Sequence, residues 1–160
     1  LKKSKKILLW SAGIFLILII IGQLSVNPKA ESFRQFNEDL LEIAEANHEY
    51  SLKLEEVESD YKLGKYGETD YFVELWHIQD GFSELSKKVK EIKTDKEFKK
   101  AQEYYANSFE YKAEYLGKYV SYLNSGSFEK KSETSKKANL ADQYYTKFEQ
   151  ELNRLEEKYK

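Results

Sequence analysis

The sequence predicts an all-α protein, with an N-terminal transmembrane helix followed by an antiparallel up-down-up-down bundle of long helices. Three observations point there. The 160 residues include one proline and seven glycines, and no stretch alternates apolar and polar as a strand would. Beyond Pro28, apolar residues recur every three to four positions, the spacing of one face of a helix. Ahead of Pro28, Ile7 to Val26 carries no charge at all.

That uncharged run divides the chain into a basic tail at 1–6, a transmembrane helix at 7–26 and a body at 27–160. Twenty residues at about 1.5 Å each match the roughly 30 Å hydrocarbon core of a bilayer. A secretory signal has a shorter apolar region and then a small-x-small cleavage site. Here the run leads into "GQLSVNPKAES", which offers no such site, so a retained signal-anchor is expected. Lys2, Lys3, Lys5 and Lys6 precede the run and hold the N-terminus in the cytoplasm. The body is then extracytoplasmic, at the cell membrane, and the lipid bilayer is its first partner.

Four helices are expected in the body, over about 28–63, 70–92, 95–124 and 128–159. The first carries Phe33, Phe36, Leu40, Ile43, Asn47, Tyr50, Leu54, Val57 and Tyr61 on one stripe. Asn27 with Pro28 is a start signal, and Ser32 with Gln35 is a second possible one. The loop "GKYGET" ends it. The second carries Phe72, Leu75, Ile78, Phe82, Leu85, Val89 and Ile92, with Thr69 or Asp70 as cap and Gly81 as an internal weak point. Thr94 and Glu97 read as a capping box for the third, whose stripe is Phe98, Ala101, Tyr105, Phe109, Lys112, Leu116, Tyr119 and Leu123. "NSGS" ends it. The fourth carries Ala138, Ala141, Tyr145, Phe148, Leu152, Leu155 and Tyr159; its beginning "FEKKSETSKK" is polar, with only Phe128 to anchor it, so the sequence does not fix its start. Short loops join neighbours that pack antiparallel.

Composition narrows the function classes. Without cysteine there is no disulfide, thiolate nucleophile or lipid-modified cysteine. Residues 27–92 hold 8 basic and 16 acidic side chains, and residues 93–160 hold 14 and 12. A net acidic body with no basic stripe argues against nucleic acid as a partner. Glu-x-x-His occurs twice, as Glu45/His48 and Glu74/His77. Bundles that hold two metal ions use this pair on two helices. In a hairpin turning near Tyr66, however, the two pairs stand about eight residues out of level, roughly 12 Å at the helical rise. No metal or other cofactor is expected, and there is no glycine-rich phosphate loop. The chain reads as non-enzymatic.

Two features stand out as candidate sites. Tyr104, Tyr111, Tyr115 and Tyr122 form a second stripe on the third helix, about 100° from its apolar centre line. They read as a tyrosine face for a partner protein or wall glycan, or as the amphipathic flank of a helix that touches two neighbours. Lys112 falls in the middle of an apolar stripe, and Asn47 breaks another. Level arithmetic puts Lys112 near Trp76, Val57 and Asn139, so Asn47, Trp76 and Lys112 are a candidate polar core layer. A lysine there snorkels outward, sits over the Trp76 ring, or marks a polar pocket.

The stretch from Thr94 to Leu155 has a short break, an acidic-aromatic helix, a small-residue turn and a lysine-rich helix with Ala138, Asn139 and Tyr145. In this it resembles extracytoplasmic helical-bundle proteins of unknown function from low-GC Gram-positive bacteria. The resemblance implies an exported helical bundle and carries no catalytic residues. Many of those proteins are cysteine-anchored lipoproteins, whereas this chain has a transmembrane run. The expected role is a non-enzymatic interaction or structural module at the cell surface, with a protein partner at the membrane or wall. The alternatives are an extracytoplasmic ligand-sensing four-helix module working through a partner, and a metal-binding bundle.

Overall fold

The computed structural model describes residues 28–159; the expected transmembrane helix at 7–26 lies outside them. Four helices make up almost all of the described chain: α1 (Pro28–Lys62), α2 (Glu68–Glu91), α3 (Lys99–Ser125) and α4 (Phe128–Tyr159). Among the described residues there is no strand, and no helix is long and apolar enough to cross a membrane.

Ring pairs and hydrogen bonds give the register. Tyr61 stacks on Tyr71 and Tyr50 packs on Phe82, so α2 runs back along α1. Phe82 lies against Phe109, and Gln102 bonds back to Val89 and Ile92, so α3 reverses α2. Tyr105 stacks on Phe148, and Lys118 pairs with Glu133, so α4 reverses α3. The result is an up-down-up-down helical bundle with a base, where Pro28 and Tyr159 lie, and a top formed by the two short loops at 63–67 and 126–127.

Most of the predicted apolar stripes line one core, but Tyr61 at the end of the first is exposed, and Tyr71 is buried where Phe72 was expected. Phe33, Phe36, Leu40, Leu75, Phe82, Phe98, Phe109, Leu116, Phe148 and Leu152 are all buried in it. Aromatic rings close the base: Phe98 packs against Phe33, Phe36 and Tyr159, at centroid distances of 5.4 to 6.0 Å. Outside this cluster Glu97 binds Lys158 at 2.6 Å and Lys29 at 3.1 Å, joining α1 and α4 through the α2–α3 connection. The Lys158, Tyr159 and Lys29 contacts draw its carboxyl down to about 2.

Several helix ends differ from their sequence signals. The third helix begins at Lys99, with no side-chain cap. Thr94 and Glu97 do not form a capping box there, because Glu97 is engaged by the lysines at the base. Residues 95–99 form a tight turn instead, with Phe98 N–H donating to the Asp95 carbonyl. Neither Thr69 nor Asp70 caps α2; it starts two residues earlier than expected, at Glu68, behind Gly67. Ser32 lies inside α1, its hydroxyl donating to the Pro28 carbonyl. The end of α2 has a cap that no local signal announces. Gln102 Nε2 reaches across from α3 and donates to the Val89 and Ile92 carbonyls, at 2.6 and 2.8 Å. Gly126 adopts a left-handed φ of 63° at the end of α3, which a residue with a Cβ rarely does.

Gly81, the weak point of the second stripe, has a packing reason. A Cβ there would run into the Tyr50 ring, which rests on Phe82. The expected outcome of Gly81→Ala is therefore a loss of about 1 kcal/mol or more, although alanine favours a helix by about as much. Urea unfolding of the full chain in maltoside micelles, read by circular dichroism, checks the sign. Tyr50→Ala on the Gly81→Ala background should recover part of the loss.

Candidate functional site: a tyrosine-lined cleft over a buried lysine

The first half of α4 has little to put into the core. Between Phe128 and Tyr145 its inward positions are Thr134, Ala138 and Ala141. Small side chains cannot fill the space between α1 and α3, and in a core packed at crystal density such a gap stays open. At the base the gap is closed, since Phe33 meets Tyr159 at 5.6 Å. At the top α1 and α4 part, leaving a cleft of about 900 Å³. Its walls are the last turns of α1 (Leu54 to Leu63), α3 from Lys112 to Tyr122, and α4 from Thr134 to Asp142.

Lys112 forms the floor. Its side chain is 0% exposed. Its Nζ donates to Asn47 Oδ1 at 2.6 Å and stands 5.1 to 5.9 Å from the centroids of Phe82, Phe109 and Tyr145. Burial penalises the ammonium form and holds this amine well below the ordinary lysine range, with Asp142 acting in the opposite direction. The candidate layer of Asn47 and Lys112 is thus assembled by direct hydrogen bonding.

Trp76 is not part of that layer. It is 54% exposed, one residue past the buried Leu75 and so turned about 100° off the core. The α2–α3 connection also runs as far as Phe98. Lys112 is therefore level with the turn after Trp76, and Phe82 takes the place expected of the tryptophan.

The tyrosine stripe divides in two. Tyr104 and Tyr111 flank Tyr144 of α4, at 6.0 and 5.3 Å, and lysines cover this trio. Lys100 stands over Tyr104, Lys137 over Tyr111 and Lys147 over Tyr144. Tyr115 and Tyr122 instead line the cleft, together with Tyr119, which the sequence placed in the core stripe. Tyr115 and Tyr119 stack at 5.9 Å with nearly parallel planes. Burial first, then the charge of Glu58, pushes the Tyr115 hydroxyl above its ordinary value, so it stays protonated at physiological pH.

The Glu-x-x-His pairs lie away from the cleft. His77 is exposed and His48 half-buried. Among the described residues, no group of three or more His, Asp or Glu side chains is arranged to hold a metal ion. No histidine lines the cleft, so its Ser59, Thr134 and Ser135 hydroxyls have no imidazole base beside them.

No protein-family model, curated protein or solved structure matches the chain.

The floor makes a pair of stability predictions. Asn47→Ala removes the acceptor of the Lys112 amine and should cost about 1–3 kcal/mol. Asn47→Leu combined with Lys112→Met replaces a buried polar pair by apolar volume and should be at least as stable as the wild type. The pH dependence follows from the depressed amine. Above its lowered folded value and below the ordinary 10.5, the unfolded chain holds a proton that the folded chain has lost. Stability therefore rises with pH across that window. The stability difference between wild type and Lys112→Met, measured by urea unfolding from pH 7 to pH 10, should shift in favour of the wild type as pH rises.

Proposed function

We propose that the chain is a single-pass, membrane-anchored, extracytoplasmic recognition module with no enzymatic activity of its own. The cleft between α1, α3 and α4 is the recognition site. One observation carries this reading: half of α4 is built from small and polar residues, which maintain an apolar, tyrosine-lined cleft of about 900 Å³. That volume is within the range of sites that enclose a small ligand, roughly 300–1,000 Å³. Four lysines followed by the uncharged run at 7–26 support the anchor and its orientation. The cleft would then open at the end of the bundle away from the bilayer, since Pro28 begins α1 at the base.

The size of the cleft and the buried lysine at its floor favour the ligand-sensing version of this reading over a flat structural contact. A second protein at the membrane would then carry the response, because the described bundle offers no catalytic pair in the cleft. The resemblance to exported Gram-positive bundles supports the same compartment.

Site-specific photocrosslinking in intact cells tests the proposal. A photoreactive residue in place of Ser135 or Asn139, both exposed at the cleft rim, should give an adduct protected from external quencher by partner binding. The same residue in place of the exposed Lys87 on α2 should give none. External protease should digest the body of the full-length, membrane-bound chain. Adducts at position 87 but not at the rim, or a body shielded from external protease, would overturn it.

A further inference from the structure

Resting on the cleft as the recognition site, we infer that its ligand is an organic cation with an apolar body, an alkyl- or arylalkylammonium. Charge complementarity argues for this class. Three carboxylates, Glu55, Glu58 and Asp142, line the cleft against Lys62 and Lys112. Lys62 stands 3.5 Å from Glu58 at the rim. Burial disfavours the charged form of the floor amine, so it opposes an entering cation less than an exposed lysine would. Glu55 is exposed and forms no ion pair among the described residues. An entering anion would meet an acidic mouth, whereas an entering cation would be drawn in.

The rings supply the second argument. Cations are attracted to tyrosine faces within about 6 Å, and this helix uses that contact repeatedly. Lysines cover Tyr104 and Tyr111 on α3, and Tyr144 opposite them. Among the described residues no lysine or arginine stands over Tyr115, Tyr119 or Tyr122, the three rings that line the cleft. The lower half of the tyrosine stripe is thus supplied with cations by the chain itself, and the upper half is left for one that comes from outside. Leu54, Leu63, Ala138 and Ala141 provide apolar surface for the body of such a ligand.

Calorimetric titration of the full chain in maltoside micelles at pH 7 tests the inference, with benzyltrimethylammonium, benzyl alcohol and phenylacetate as probes. The expected result is saturable binding of the ammonium compound, at least about tenfold tighter than the other two. Glu55→Gln and Tyr122→Leu should each weaken it about threefold to tenfold. Glu55→Gln also serves as the folding control, since its side chain is exposed and its unfolding midpoint should not move. Equal binding of the alcohol and the ammonium compound would overturn the cationic ligand while leaving the cleft as a recognition site. Preference for phenylacetate would overturn it too and give the floor lysine the leading role. No binding of any probe, with rim crosslinks intact, would mean that the cleft serves a macromolecular partner and that the inference fails.

Discussion

The hydrogen bond from Lys112 to Asn47 ties α3 to α1 at the level where α4 stops filling the core. Below it, large rings from all four helices pack together, from Phe82 and Phe109 down to the Phe33–Phe98–Tyr159 cluster. Above it, α4 has only Thr134, Ala138 and Ala141 to offer, and the bundle opens. A leucine at position 112 would continue the apolar core and leave Asn47 with a buried amide to satisfy. The lysine instead donates to the amide oxygen, and three aromatic rings surround its own amine. Its burial disfavours the charged form of the amine at the cleft floor, with Asp142 acting in the opposite direction.

Much of the fold was legible because it rests on periodicity. Apart from the half-buried Tyr50, the stripes from Phe33 to Val57 and from Leu75 to Val89 are buried as spaced, and a hairpin turning near Tyr66 puts Tyr50 on Phe82 and Tyr61 on Tyr71. Helix starts were less legible. Glu97 has the spacing of a capping residue, but two lysines from distant positions compete for its carboxylate and win. Gln102 caps α2 from 10 to 13 residues away in sequence, a contact that local spacing does not reveal.

The site was legible in pieces. Lys112 and Asn47 stood out as polar breaks in apolar stripes, and they do meet. Trp76 was placed with them by counting levels across a connection that proved longer than its capping signals suggest. One turn of error was enough to exchange it for Phe82. The cleft itself is written as an absence of large side chains at the inward positions of the first half of α4, Thr134, Ala138 and Ala141. That pattern reads as weak amphipathicity until three neighbours are seen around it. The tyrosine stripe looked continuous on one helix, yet α4 covers its lower half and withdraws from its upper half.

A bundle that keeps an unfilled cleft gives up stability that larger residues could recover. Ala138 lines the cleft and is half-buried, so Ala138→Leu adds apolar volume toward the cleft. Measuring its unfolding free energy alongside its benzyltrimethylammonium affinity tests the central claim most directly. The account predicts that stability is unchanged or higher by up to about 2 kcal/mol, while binding is lost. A drop in stability of the kind that overpacking produces, about 1–3 kcal/mol, with binding intact, would mean that this face is already filled and that the recognition site lies elsewhere.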